Sequence, residues 1–241
     1  MLNENNNKIK LYGVIIGLVT LAAQHGFYLL GHILALLLKT PSFCPKIDAI
    51  DGLIPLIPVF IIPYIWSYVY WGMAPMVASK CEKEHYKDYL AAYLFSCIAG
   101  MIVLAILPTT LDRNAEGIYD TVKYNGFFAD IMRLWYKLDG AEIAYNLFPS
   151  FHCLNSTISY LGVAGRKEVP LAFRIYSLVI TIVIYCSTLL VKQHYFVDVI
   201  SGVGIALIVF IICKKTHAGR IFNKPIEFFK NKFAKKGEKN V

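Results

Sequence analysis

The sequence predicts an all-α polytopic membrane protein with about six transmembrane helices in one bundle and one further helix on the outer membrane surface. Of its 241 residues, 57% are hydrophobic and 17% are charged, and the mean hydropathy is +0.53. This composition is typical of membrane proteins rather than soluble domains. Six apolar stretches have about the length that a helix needs to cross a bilayer, roughly 20 residues. They lie at about residues 11–38, 53–77, 90–108, 149–164, 172–191 and 195–213.

The distribution of basic residues predicts how these helices are oriented. With a cytoplasmic N-terminus, 17 of the 24 Lys and Arg residues fall on the cytoplasmic side, nine of them after residue 213. Because basic residues concentrate in cytoplasmic loops, both termini are expected inside the cell. The chain then divides into a short tail (1–10), a membrane domain (11–213) and a basic amphipathic tail (214–241). We expect this second tail to contact anionic lipid headgroups.

The net charge of +8 reflects this topology, and we expect no nucleic-acid partner. The six cysteines show no Cys-x-x-Cys spacing, so neither a disulfide framework nor a zinc site is expected, and no cofactor is implied. Lysine is more abundant than arginine, which is typical of AT-rich bacterial genomes and favours a bacterial cytoplasmic membrane.

The first two apolar stretches contain unusual residues. Gln24, His25 and His32 lie in the first, and ionisable groups inside a membrane are often functional. We favour a structural role for them, because no carboxylate lies at helical spacing from either histidine. In the second stretch, Pro63 is expected to kink the helix.

The longest external segment, residues 109–148, contains a run in which apolar and charged residues alternate with helical spacing. The run begins at Phe127 and includes Asp130, Arg133 and Trp135. It is typical of an amphipathic helix on the membrane surface. A helix that packs on the protein core is the alternative.

Three polar clusters occur where the apolar stretches end, all on the predicted external side. They are 108–113, 146–152 and 187–198. Topology therefore brings them to one membrane surface, which favours a functional site over a set of unrelated helix ends.

The third cluster contains a histidine and an aspartate four residues apart. At this spacing His194 and Asp198 share one face of a helix, and the carboxylate can orient the imidazole. His194 is then a candidate nucleophile or base. A polar cap at a helix junction is the alternative interpretation of this pair taken alone.

The other two clusters supply groups suited to bind phosphate. Pro149 is expected to begin a helix, so that the N–H groups of residues 150–152 form an anion site together with the Ser150 hydroxyl. His152 can act as a general acid. Arg113 and Lys192 are candidate cationic ligands of the phosphate.

The motif Pro149-Ser-Phe-His152, followed by Ser187, His194 and Asp198, resembles the second and third signature motifs of the type 2 phosphatidic acid phosphatase superfamily. The resemblance covers about residues 45–213. The stretches Asp51-Gly-Leu-Ile-Pro and Pro108-Thr-Thr-x-x-Arg113 resemble a bacterial branch related to inositol phosphorylceramide and sphingomyelin synthases.

This resemblance implies a six-helix fold with an extracytoplasmic pocket and a metal-independent mechanism. It implies that His194 forms a phosphohistidine, that Asp198 orients it, and that His152 protonates the leaving group. Ser150, Arg113 and Ser187 would bind phosphate. Asp139 and Asn146, which flank the second motif, would form hydrogen bonds around it.

The sequence departs from the superfamily pattern at two phosphate-binding positions. Ile106 stands where the first motif has lysine, and Thr188 stands where the third has arginine. We expect Lys192, one turn after Thr188, to replace the missing cation.

Three functions remain open at this point. The first is hydrolysis of a lipid phosphomonoester or pyrophosphate on the extracytoplasmic side. The second is transfer of the phosphoryl group to an alcohol, as in a lipid headgroup transferase. The third, a non-enzymatic membrane transporter, is disfavoured because transporter sites usually lie near the bilayer midplane.

Overall fold

The computed structural model describes residues 11–114, 118, 125–138, 143–145 and 147–223. Residues 1–10 and most of the predicted C-terminal tail, 224–241, lie outside the described residues. The helices are α1 (Leu11–Leu38), α2 (Asp48–Asp51), α3 (Ile61–Ala78), α4 (Lys83–Ile106), α5 (Phe127–Leu138), α6 (Phe151–Val163), α7 (Leu171–Leu190) and α8 (Phe196–Thr216).

The prediction of an all-α membrane protein is confirmed. Helices α1, α3, α4, α6, α7 and α8 correspond to the six apolar stretches. Four of them, α1, α4, α7 and α8, are long and apolar enough to cross a membrane. The chain is therefore an integral membrane protein built as a helical bundle.

Helix α6 is the centre of the bundle. It has 13 residues, about 20 Å at 1.5 Å per residue, which is shorter than the roughly 30 Å hydrocarbon core of a bilayer. Nearly all of its side chains are buried, because α3, α4, α7 and α8 pack around it. Residues on α6 thus face other helices instead of lipid.

Helix α3 begins later than the sequence predicts, at Ile61 instead of residue 53. A non-helical stretch and a 3-10 turn, Pro58–Phe60, precede it. Pro63 lies in the first turn of α3, where its missing N–H would have no intrahelical partner in any case. Pro63 is therefore not expected to kink the helix, contrary to the sequence prediction. The proline inside α3 is Pro75.

The described parts of the segment between α4 and α6 lie over one end of the bundle. They form a two-stranded antiparallel sheet that the sequence does not predict, in which β1 (Thr110–Asp112) pairs with β2 (Ile143–Tyr145). Helix α5 lies between the strands in sequence. It buries Met132 and Tyr136 against the bundle, while Phe127 and Leu134 remain exposed. The core-packing alternative is thus correct for the buried face of α5, and its location on the membrane surface stays a prediction.

The opposite end of the bundle carries the start of the C-terminal tail. Helix α8 continues to Thr216, three residues beyond the predicted boundary, and a 3-10 turn follows at Ala218–Phe222. The N–H of Gly219 donates to Oδ1 of Asp88 at 3.0 Å, and Nζ of Lys87 donates to Oδ1 of Asn223 at 2.7 Å. These bonds attach the beginning of the tail to the first turns of α4.

Candidate active site

His194 and Asp198 lie at the junction between α7 and α8. His194 precedes α8, which begins at Phe196, so the prediction that the pair shares one helical face was wrong. Asp198 is the third residue of α8, and its Oδ2 accepts a 2.9 Å hydrogen bond from the N–H of Tyr195. The same oxygen lies 3.4 Å from Nδ1 of His194. The carboxylate can therefore hold the Nδ1–H tautomer, which leaves Nε2 of His194 with a free lone pair.

The turn that carries His194 is closed by its own backbone. The N–H groups of Gln193 and His194 both donate to the carbonyl of Thr188, at 3.0 and 3.1 Å. Lys192 has a φ of +50°, a left-handed conformation that reverses the chain after α7. Thr188, which stands where the superfamily pattern has arginine, thus contributes its backbone carbonyl as a hydrogen-bond acceptor.

His152 lies on the first turn of α6 within a group of aromatic rings. Its imidazole stacks on Tyr64 with ring centroids 4.0 Å apart, and the edges of Trp71 and Tyr68 pack at 5.0 and 5.6 Å. Its ring centroid is 6.0 Å from that of His194. Nε2 of His152 is buried and has no hydrogen-bond partner among the described residues. This nitrogen is therefore available to a reacting group.

Ser150 connects the start of α6, which carries His152, to the first turn of α8, which follows His194. Its N–H donates to the carbonyl of Asp198 at 3.0 Å, and its Oγ caps α6 by accepting from the N–H of Cys153 at 3.3 Å. Pro149 was expected to begin the helix, but the first helical residue is Phe151. Because the Ser150 N–H is occupied, the anion site expected at this helix end has fewer available donors than the sequence predicts. The Ser150 hydroxyl hydrogen remains a possible donor.

Arg113 is fully buried beside the His194 turn. Its Nη2 donates to Oε1 of Gln193 at 2.8 Å, and its guanidinium lies 4.4 Å from the ring centroid of Tyr136 on α5. A buried guanidinium held by an amide and an aromatic face is fixed in position. Gln193 was not among the predicted site residues, and its role follows only from this long-range contact.

Lys192 and Asp51 link the same turn to the segment that precedes α3. Nζ of Lys192 donates to the carbonyl of Asp51 at 3.1 Å, and Oδ1 of Asp51 accepts from the N–H of Phe196 at 2.8 Å. Lys192, Asp51 and His194 also line a cleft of about 20 Å³ together with Lys46. The predicted cation Lys192 therefore lies beside His194, and Asp51 aligns the first turn of α8.

Ser187, a further predicted site residue, is not brought into this arrangement. Ser187 is fully buried, and its hydroxyl donates to the carbonyl of Ile184 within α7 at 2.7 Å. Asp139 and Asn146 lie outside the described residues. Among the residues that the structure describes, no three His, Cys, Asp or Glu side chains group as a metal site requires.

A cavity of about 230 Å³ lies between the two histidines and the first helix. Six of its fourteen lining residues are Phe, Tyr or Trp. Its polar side chains include Gln24 and His25 of α1, for which the sequence favours a structural role. None of the described residues that line it is Lys, Arg, Asp or Glu. The lining residues are Gln24, His25, Tyr28, Tyr64, Tyr68, Trp71, Trp135, Leu138, Leu147, Pro149, Phe151, His152, Asn155 and His194.

The three polar clusters thus meet at one end of the bundle, as the sequence predicts. A family model described as the PAP2 superfamily matches residues 55–212, about two thirds of the chain. The chain belongs to the PAP2 superfamily. The motifs at 149–152 and 187–198 both fall inside the matched region. No curated protein and no solved structure shows significant similarity to the chain. Membership supports a phosphatase or phosphotransferase that acts on lipids, and α1 lies outside the matched residues.

Proposed function

We propose that this PAP2 protein is a lipid phosphatase that hydrolyses a lipid phosphomonoester or pyrophosphate through a phosphohistidine. One observation carries the proposal: His152 and His194 line the same cavity with ring centroids 6.0 Å apart, and Asp198 is in contact with only one of them. The two imidazoles therefore have different environments, as a nucleophile and a separate acid–base group require.

In the first step, Nε2 of His194 attacks the phosphorus atom of the bound substrate. The N–P bond forms as the P–O bond to the leaving group breaks. His152, in its imidazolium form, gives its proton to the leaving oxygen. A lipid alcohol, or a lipid monophosphate when the substrate is a pyrophosphate, leaves.

In the second step, water attacks the phosphorus of the phosphohistidine. His152 is now neutral and accepts a proton from this water. The N–P bond breaks and its electron pair returns to Nε2 of His194. Inorganic phosphate leaves, and both histidines recover their starting states.

Arg113, Lys192 and Ser150 are the groups that we assign to the phosphate. Arg113 is held beside the His194 turn by its hydrogen bond to Gln193. Lys192 is held there by its hydrogen bond to the carbonyl of Asp51. Ser150 caps the start of α6, two residues before His152. We leave Ser187 out of this set, because its hydroxyl hydrogen is already donated within α7.

We place the site on the extracytoplasmic side of a bacterial cytoplasmic membrane, with both termini inside. The asymmetry of Lys and Arg supports this orientation. The aromatic cavity walls suit the apolar part of a lipid that arrives from the surrounding leaflet.

A phosphotransferase is the second candidate, supported by the uncharged polar groups that line the cavity beside His152. In that reaction an alcohol takes the place of water in the second step. The resemblance to inositol phosphorylceramide and sphingomyelin synthases favours the same alternative.

The test is phosphate release by the purified protein from phosphatidic acid, phosphatidylglycerophosphate and a polyprenyl pyrophosphate. We expect release by the wild type, with and without a metal chelator, and none by His194→Ala. His217→Asn is the matched control, because His217 lies at the other end of α8 and asparagine tolerates its left-handed backbone. Equal release by His194→Ala and the wild type would contradict the proposal.

A further inference from the structure

We propose that α1 provides a binding subsite for a substrate hydroxyl group, formed by Gln24 and His25. This inference rests on the proposed function and specifies what the cavity beside His152 recognises. The hydroxyl belongs either to the headgroup of the lipid phosphate or to a separate alcohol that accepts the phosphoryl group.

Gln24 provides a buried donor. The residue is 2% exposed, and its Oε1 accepts a hydrogen bond of 2.7 Å from the hydroxyl of Tyr93 on α4. Its Nε2 has no hydrogen-bond partner among the described residues, although Gln24 lines the cavity. A buried amide N–H without a partner is costly, so its presence in a cavity wall points to a ligand that accepts from it.

His25, the next residue of α1, provides an acceptor and lines the same cavity. Its Nδ1 lies 2.7 Å from the carbonyl of Leu21. A carbonyl can only accept, so Nδ1 must carry the hydrogen, and the neutral ring presents Nε2 as an acceptor. The ring stacks on Tyr68 with centroids 5.2 Å apart, and this contact fixes its orientation.

Tyr68 also connects the subsite to the candidate acid–base group. One side of its ring stacks on His25, and it packs in an edge arrangement against His152 at 5.6 Å. The polar pair on α1 is therefore separated from His152 by a single aromatic ring. A group held by α1 lies in the same cavity as both histidines.

The chemistry of the pair selects a neutral hydroxyl. A hydroxyl can accept from the Gln24 N–H and donate to Nε2 of His25 at the same time. A fully ionised phosphate or carboxylate offers no hydrogen to the imidazole. Because the described lining of this cavity has no Lys, Arg, Asp or Glu, a charged group would lack a counter-ion there.

The first arm of the test asks whether the lipid carries the hydroxyl. It compares kcat/KM for phosphatidylglycerophosphate, whose glycerol headgroup has a free hydroxyl, with kcat/KM for phosphatidic acid, which has none. We expect the wild type to prefer the hydroxyl-bearing lipid. Gln24→Leu and His25→Phe should each reduce this ratio about tenfold, as loss of one hydrogen bond predicts.

The second arm asks whether a separate alcohol carries it. Labelled phosphatidic acid is supplied with glycerol or a medium-chain alcohol, and phosphorylated alcohol is measured against free phosphate. If the alcohol is the ligand, the ratio of transfer to hydrolysis should fall about tenfold in the same two variants. If neither ratio changes in either variant, the inference is wrong.

Two variants separate this role from a structural one. Tyr93→Phe removes the bond that Gln24 makes to α4 but keeps the N–H in the cavity, so it should preserve both ratios. His32→Phe makes the same change as His25→Phe on α1, at a residue that is not part of the cavity lining. If Tyr93→Phe reproduces the effect of Gln24→Leu, Gln24 acts only through helix packing and the inference fails.

Two safeguards keep the result interpretable. Should Gln24→Leu fold poorly, the double variant Gln24→Leu/Tyr93→Phe leaves neither partner of the buried bond unsatisfied. Retained phosphate release by His194→Ala would refute the proposed function itself. Release that depends on His194, with both ratios unaffected by the α1 variants, would refute only the hydroxyl subsite.

Discussion

The N–H of Ser150 donates to the carbonyl of Asp198 across 3.0 Å. This bond joins the start of α6 to the first turn of α8, and these are the two segments that position His152 and His194. The distance between the histidines therefore depends on how closely the two helices approach, and not on flexible side chains. Such rigid placement is what in-line phosphoryl transfer requires.

Gly202 permits this close approach. A Cβ added at Gly202 would lie 2.4 Å from the Ser150 carbonyl oxygen and 3.1 Å from the backbone nitrogen of Leu154. Because backbone atoms cannot move aside cheaply, Gly202→Ala should push α8 away from α6. A shift of about 1 Å between reacting groups can reduce kcat roughly 100-fold. Phosphate release by the purified variant measures this effect.

Gly204→Ala is the matched control for that experiment. An added Cβ at Gly204 meets no atom within 4 Å. We expect Gly204→Ala to retain the kcat of the wild type. Equal activity of the two alanine variants would mean that the contact between α6 and α8 does not set the catalytic geometry.

Asp198→Asn should reduce kcat strongly while the protein remains folded. Asparagine can still accept from the Tyr195 N–H, but it lacks the charge that stabilises the imidazole and its tautomer. We expect kcat to fall about 10² to 10⁴-fold, as for other oriented histidines.

Asp51→Asn provides the comparison, since Asp51 accepts from a backbone N–H on the same turn without contacting His194 by a hydrogen bond. Asp51→Asn should lower the Tm of the protein. Its kcat should fall much less than that of Asp198→Asn. A similar kcat for the two asparagine variants would contradict the role assigned to Asp198.

Arg113→Lys should weaken substrate binding. Lysine keeps the charge but cannot donate to Gln193 and stack on Tyr136 in the same way. We expect KM for a lipid phosphate to rise about tenfold. Arg133→Lys is the control, because Arg133 on α5 forms an exposed ion pair with Asp130, and such pairs contribute little. An unchanged KM in Arg113→Lys would remove Arg113 from the phosphate site.

Glu168, in the loop between α6 and α7, should make the stability of the folded protein depend on pH. Burial acts to raise the pKa of Glu168, but hydrogen bonds from Arg166 and from backbone N–H groups outweigh it and lower the pKa to about 2. A carboxylate with a depressed pKa stabilises the fold above its ordinary pKa of about 4.5, and this contribution is lost as the pH falls towards 2.

Glu168→Gln should therefore lower Tm at pH 6 and have little effect near pH 2. Glu82→Gln is the control, because its carboxylate is 71% exposed and 3.9 Å from Arg166. If Glu168→Gln lowers the Tm by the same amount at both pH values, the role given to the Glu168 carboxylate is contradicted.

The sequence predicts most of the bundle because apolar runs of membrane length are a strong signal. It also points to His152, His194 and Asp198 as candidate site residues, since their motifs are local. It does not reveal β1 and β2, because three-residue strands have too little pattern to detect.

The contacts that surround these motif residues could also not be predicted, and the reason is different. The bond between Arg113 and Gln193 joins residues 80 positions apart. The contribution of Gln24 to the cavity depends on how α1 packs against α4. His194 and Asp198 are in contact as the sequence predicts, but their geometry comes from a helix cap and not from a helical face. Tertiary packing determines all three features.

The central claim is that His194 becomes phosphorylated during turnover, and mass spectrometry of the trapped enzyme tests it most directly. Because Nδ1 of His194 faces Asp198, phosphate should be attached to Nε2. Protein mixed briefly with a lipid phosphate and quenched in alkali, where phosphohistidine survives, should yield a peptide phosphorylated at Nε2 of His194. The same peptide should be unmodified in a sample without substrate. Turnover with phosphate on another residue, or on none, would contradict the account.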